Sequence, residues 1–233
     1  FNEFKRDKSL QYASVSFLVK ELNTDSTYFN YNDSISVVSA STVKLFSTAS
    51  ALEILGEDYR PKTAFYVDDI PDSSGVVDGD LFVKGGGDIS FSSYYFSKND
   101  SVDNHMDKVA DTLFKLGVRV IRGNIIGDGS LFGYQGTPDG WAWEDLGNYY
   151  GAFPSGLSIY DNIVKFQFYV GAPRTKPILL STFPSIPNLT LRNSLISLNG
   201  VGDNSWIYGG PYSYERSIRG SLGSYNKGFI VKG

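Results

Sequence analysis

The chain has 233 residues, enough for one large domain or two small ones. With 41% hydrophobic residues, 20% charged residues, a net charge of −4 and no basic stripe, it reads as globular rather than disordered, and nucleic acid is excluded as a partner. Cysteine is absent, which excludes disulfides, a thiol nucleophile and a zinc-thiolate site, and a single histidine, His105, excludes a multi-histidine metal centre.

The 25 glycines, 16 tyrosines and 16 phenylalanines favour strands joined by tight turns. Taken in chain order, "YASVSFLVKEL" (12–22) alternates as a strand does. "STYFNYND" (26–33) is its partner across the turn "NTD". A helix is predicted from Ala40 and Ser41, with apolar positions at Val43, Leu45, Phe46, Ala49, Leu52 and Leu55 and a stop at Gly56. From Thr63 the texture changes. "TAFYVDD" and "GDLFVKGGGDISFSS" read as strands with glycine turns. Val102, Met106, Val109, Leu113 and Leu116 form the apolar stripe of a second helix, which puts His105 on its solvated side. "GVRVIRGNIIGDGSLF" (117–132) reads as a strand pair and 134–156 as a long loop dense in aromatics, glycine and proline. Residues 157–173 are a strand region, and short strands and turns follow to a strand-like end at "IVKG". That ending reads as an interrupted strand, so a truncated chain is the expectation. Its open sheet edge makes a homodimer a further expectation.

No apolar run approaches the roughly 18 residues of a transmembrane helix, and the N-terminal "FNEFKRDKSLQYASV" lacks the apolar centre of a signal peptide. The absence of cysteine suits an oxidising compartment such as the periplasm.

Ser41-Thr42-Val43-Lys44 fits S-x-x-K. Residues three apart on a helix share a face, so the Ser41 hydroxyl and the Lys44 amine can meet. The helix N-terminus favours negative charge developing on the serine oxygen. Burial disfavours an ammonium, and a neutral amine can take a serine proton. With histidine nearly absent, a serine hydrolase here would have to use lysine. The bare tetrad also has an idle reading: Ser41 as a helix cap, worth about 1 kcal/mol. Ser224-Tyr225-Asn226-Lys227 fits the same pattern in a turn-rich context.

"SASTVKLFSTASALEILGEDYRPKT" (39–63) resembles the active-site helix of the S13 peptidase family, the D-alanyl-D-alanine carboxypeptidases of the penicillin-binding protein 4 type. Ser39 stands where that family has proline, while Ala40, Ser41, Lys44, Leu45, Thr48 and Ala49 match. "GDLFVKGGGDISF" (79–91), "IIGDGSLF" (125–132) and "GWAWEDLGNYYGAFPSGLSIYDNIVKFQF" (140–168) resemble the family in the same order.

The resemblance implies an α/β (α+β) fold. Residues 1–62 would be the N-terminal part of a penicillin-binding, serine β-lactamase-like domain. Residues 63–233 would be a β-rich insertion, with 140–165 returning to the cleft. It implies a serine DD-peptidase of the bacterial cell envelope, periplasmic or extracytoplasmic. Ser41 would be the nucleophile and Lys44 its base, with no cofactor or metal. Peptidoglycan stem peptides would be the substrate and β-lactams would acylate Ser41. Asp145 matches an aspartate that faces the amino group of a diaminopimelate arm, and Tyr150 would supply an aromatic wall.

The family also needs S-x-N and K-T-G across the cleft. S-x-N occurs at Ser97, Ser197 and Ser224, none in the expected place, and K-T-G is absent. The resemblance places both beyond Gly233, so the chain is expected to be a poor catalyst alone. Two rival readings stand beside it. One is a β-lactamase or esterase on the same fold, which the insertion disfavours. The other is a cell-wall-binding module with an idle serine and a sugar-stacking surface from Trp141 to Tyr150.

Overall fold

Alternating side chains around two phenylalanines make the first sheet. β1 (Phe17–Lys20) and β2 (Thr27–Tyr31) pair antiparallel, with Phe17 opposite Tyr31 and Val19 opposite Phe29. Asp25 turns the chain at φ 57°, a region that a short polar side chain tolerates, and its carboxylate meets Lys20. A lone hairpin is marginal in water. Here Phe1 stacks on Phe17 with centroids 5.3 Å apart, and the Lys5 amine lies 3.8 Å from the Tyr31 ring centre. The computed structural model describes residues 1–96 and 103–233, and the chain divides into two compact units, Phe1–Tyr59 and Arg60–Gly233.

The first unit continues into a 3-10 turn, Ala40–Thr42, and then α1 (Val43–Leu55). Ser41 is thus one turn earlier in character than the sequence suggests, in the 3-10 lead rather than the α-helix. Gly56, at φ 82°, ends α1 by donating to the Leu52 carbonyl. None of the α1 residues is buried.

The second unit opens with β3 (Thr63–Val67), β4 (Val76–Val77) and β5 (Leu81–Gly85). α2 (Asp103–Lys115), β6 (Val120–Ile121) and β7 (Ile125–Asp128) follow. The expected strand pair in 117–132 does not form. β6 runs parallel to β4 and β7 parallel to β5, as strands on either side of a crossover helix do. The Asp80 carboxylate fixes that arrangement by accepting the Asn124 backbone N–H at 2.6 Å. Met106, Val109 and Leu113 of the α2 stripe are half-buried, while Val102 lies outside the described residues. His105 is not free in water: it is half-buried, edge-on to Phe91 at 6.0 Å.

The core of this unit lies between two three-stranded sheets. One has the order β13 (Asn226–Lys232), β8 (Lys165–Val170), β9 (Ile178–Phe183). The other has β10 (Thr190–Leu198), β12 (Glu215–Gly223), β11 (Asp203–Tyr208). Period-two alternation sends Phe166, Phe168 and Val170 of β8 inward against Leu195, Ile207, Ile218 and Leu222. Each such side chain contributes about 1.5–3 kcal/mol on burial. The architecture is α+β, as the sequence implies.

A strained turn feeds β8. Tyr160, Asp161 and Asn162 all have positive φ, at 54°, 59° and 54°. Left-handed backbone costs about 1–2 kcal/mol per L-residue, so something must hold it. The Asp161 carboxylate accepts the Ser93 hydroxyl and the Tyr94 backbone N–H at 2.9 Å, and Asn162 donates to Ser158 Oγ at 3.2 Å. Ser93 is buried. Asp161→Ala should therefore destabilise the second unit by about 1–3 kcal/mol, because a buried hydroxyl and a half-buried backbone N–H lose their acceptor. Chemical denaturation checks this, and an unchanged midpoint would contradict the role given to the carboxylate.

Candidate active site

Ser41 and Lys44 meet as the spacing requires. Lys44 Nζ donates to Ser41 Oγ at 2.9 Å. The turn before them is sharp: Ala40 has φ 44°, a strained value for a residue with a Cβ. The Thr42 N–H bonds the Ser39 carbonyl at 3.0 Å, and the Thr42 hydroxyl bonds the same oxygen. One turn on, Thr48 Oγ1 donates to the Lys44 carbonyl at 2.7 Å. With an ammonium the contact is a charge-assisted hydrogen bond. With a neutral amine the same geometry serves proton transfer from serine to lysine. Both side chains are exposed. The water exclusion that a lysine base relies on is therefore not supplied by burial here.

Asp145 and Tyr150 are brought together on the long loop. The phenol of Tyr150 is pushed above its ordinary value, first by burial and then by the Asp145 charge and the hydrogen bond to that carboxylate, with Glu144 and Tyr149 adding to it. Tyr149 packs edge-on against Tyr150 with centroids 5.3 Å apart. Asp145 is half-buried, and Tyr150 remains half exposed.

The anchor of this loop is a residue that sequence reading missed. Asn148, 7% exposed, donates to the carbonyls of Glu144 at 2.7 Å and Ile207 at 3.3 Å, and accepts the Ile207 N–H at 3.1 Å. Gly147 allows that approach, since a Cβ there would lie 2.3 Å from the Ile207 carbonyl oxygen. An asparagine in a loop looks like any turn former, and its partner is 59 residues away.

The two pairs, Ser41 with Lys44 and Asp145 with Tyr150, belong to different units. The stray motifs are accounted for locally. Ser197 is fully buried in β10, its hydroxyl on the Ala172 carbonyl. Ser224 bonds Asn199 Oδ1 at 2.6 Å in the turn before β13. The triplet at Ser97 lies outside the described residues. Among the described residues no group of three or more His, Asp or Glu side chains could hold a metal ion.

Comparison with known proteins now decides the family. The profile of the D-Ala-D-Ala carboxypeptidase 3 (S13) family matches residues 2–194. This chain belongs to that family. The D-alanyl-D-alanine carboxypeptidase DacB of Haemophilus influenzae is 27% identical over 150 residues, covering 64% of this chain and 29% of that protein. The D-alanyl-D-alanine carboxypeptidase of Actinomadura sp. is 29% identical over 153 residues, covering 66% and 26%. The penicillin-sensitive carboxypeptidase A of Dictyostelium discoideum is 31% identical over 146 residues, covering 58% and 26%. The matches thus take in less than a third of each of these relatives. The crystal structure of penicillin binding protein 4 from Haemophilus influenzae superposes with a TM-score of 0.69 at 20% identity, over 92% of this chain and 45% of that one. At that identity the match establishes the fold alone, which is that of penicillin binding protein 4.

Two outcomes follow. Subtracting the tyrosinate absorbance titration of Tyr150→Phe from that of wild type should isolate a component above the ordinary phenol value of about 10. Asp145→Asn should move it down, because a neighbouring negative charge opposes phenol ionisation. A component at or below the ordinary value would contradict the contact. Asn148→Ala should cost about 1–3 kcal/mol by leaving the buried Ile207 groups unpaired, and should raise hydrogen exchange across 143–151. Unchanged exchange there would contradict the anchor.

Proposed function

We propose that the chain is the serine-bearing part of a DD-peptidase that cleaves the terminal D-alanine from peptidoglycan stem peptides. The observation that carries this is the 2.9 Å contact between Lys44 Nζ and Ser41 Oγ, inside the stretch matched by the S13 family. The relatives' names, D-alanyl-D-alanine carboxypeptidase and penicillin-sensitive carboxypeptidase, support the substrate class and the sensitivity to β-lactams. A related structure in complex with a novel β-lactam supports the same reading. In this reading residues 1–62 belong to the catalytic domain and 63–233 to an insertion in it, and the protein works outside the cytoplasm. Among the described residues no helix is long and apolar enough to cross a membrane.

The reaction runs in two halves. Neutral Lys44 takes the Ser41 hydroxyl proton as the oxygen attacks the carbonyl of the scissile peptide bond. The Ser41 backbone N–H is one donor to the developing oxyanion. The C–N bond breaks, the proton passes from Lys44 to the departing D-alanine amine, and an ester remains on Ser41. Water then attacks that ester, Lys44 takes its proton and returns it to the Ser41 oxygen as the acyl C–O bond breaks, and the shortened peptide leaves as the acid. A β-lactam enters by the same first half, but its amine stays tethered and its ester persists. The Asp145 carboxylate pairs with a cationic arm of the substrate, and Tyr150 flanks that arm. The open edges of the two-stranded sheet β1–β2 support pairing with a second copy.

Intact mass after incubation with benzylpenicillin tests the reading. One added β-lactam is expected on the 233-residue chain and none on Ser41→Ala. D-alanine release should stay far below the roughly 1–10³ s⁻¹ of ordinary enzymes, since no K-T-G is present and the two described S-x-N serines, Ser197 and Ser224, serve a strand and a turn. An adduct that survives Ser41→Ala would overturn it, as would peptidoglycan binding without any adduct.

A further inference from the structure

The outer face of the sheet β10–β12–β11 carries groups that chemistry at Ser41 does not use. Ile218 and Leu222 of β12 point into the core, so Ser217 and Arg219 point out. Across the ladders, Arg192 of β10 lies opposite Ser217, while Trp206 of β11 lies opposite Arg219 and Tyr208 opposite Ser217. An open groove of about 630 Å³ borders this face, lined by Arg192, Arg219, Trp143 and Tyr208, with Glu215 as its carboxylate, and Arg216, from the core-facing row of β12, also lines it. Three guanidinium groups against one carboxylate is a local excess of positive charge in a chain of net charge −4.

Among the described residues no carboxylate lies within ion-pair distance of Arg192, Arg216 or Arg219. Arg219 is oriented by the Tyr208 ring, 4.5 Å from its guanidinium carbon, and donates to the Tyr208 hydroxyl. Arg216 is half-buried against Gly209, where a Cβ would come within 2.4 Å of its Cδ. Its Nη1 donates to the carbonyls of Ser213 at 2.6 Å and Glu215 at 3.0 Å, and burial disfavours its charged form. A half-buried cation with carbonyl partners is costly, and a nearby anion offsets that cost. Beside it, Trp143, 58% exposed, offers a flat apolar face suited to the C–H face of a sugar ring.

We propose that this groove binds a sugar bearing an anionic group, carboxylate or phosphate, with Arg192 and Arg219 on the anion and the ring against Trp143. Fork-shaped guanidinium donors match both anions. The site lies wholly within the second unit and does not depend on Ser41.

Calorimetric titration of the 233-residue chain tests it. Trigalacturonate presents the carboxylate, N-acetylglucosamine phosphate presents the phosphate, and chitotriose is the neutral control. At least one anionic sugar should bind at least about tenfold more tightly than chitotriose, a difference of about 1.4 kcal/mol, and weaken as salt rises. The double variant Arg192→Ala/Arg219→Ala should lose about tenfold or more in that affinity with an unchanged melting temperature, since both side chains are exposed. Should that variant unfold, Arg219→Lys is the substitute, with a few-fold loss expected because the charge stays and the fork goes. Equal binding of chitotriose, no binding of either anionic sugar, tighter binding of oligothymidylate, or variants that bind as wild type does would each overturn the assignment.

Discussion

One contact organises the account: a lysine amine 2.9 Å from a serine hydroxyl, three residues apart. It exists because a helical turn stacks positions i and i+3, and because the strained Ala40 starts that turn sharply. Its neighbours along the turn, Ala40, Thr42, Val43 and Leu45, include no acid, base or metal ligand.

The helix that carries Lys44 spreads its apolar residues around its circumference, yet none of them is buried. Leu45, Phe46 and Ile54 are 71%, 72% and 79% exposed. Helices of this composition are ones that folded proteins cover. Covering α1 would also take Ser41 and Lys44 out of water, the condition under which an amine gives up its proton most readily. The second unit behaves differently. It has a closed core between two sheets, and its functional candidates sit on the rim, held by specific polar ties such as Asn148 to Ile207 and Asp161 to Ser93.

What the sequence made legible was local. The hairpin at β1–β2, the α1 helix, its stop at Gly56 and the Ser41–Lys44 contact all follow from spacing within a few residues. What it did not show was non-local. The parallel partners of β6 and β7 lie across α2, and no alternation pattern encodes them. His105 reads as solvated on a helical wheel, but Phe91, brought from another segment, covers it. The left-handed turn at 160–162 is half legible, since Asp and Asn tolerate positive φ and tyrosine does not advertise it. The arginine groove is assembled from three strands and a loop, so its charge is invisible as a run. The Asp145–Tyr150 contact was not anticipated: the family resemblance named each residue separately, as one facing the substrate.

The central claim is that Lys44 acts as a base and not merely as a charge. The most direct test is the rate of acylation by benzylpenicillin in wild type, Lys44→Ala and Lys44→Arg. Arginine keeps the positive charge but cannot give up its proton in a protein. The account predicts that Lys44→Arg loses as much as Lys44→Ala, each by about 10²–10⁴-fold. A Lys44→Arg rate near that of wild type would contradict it.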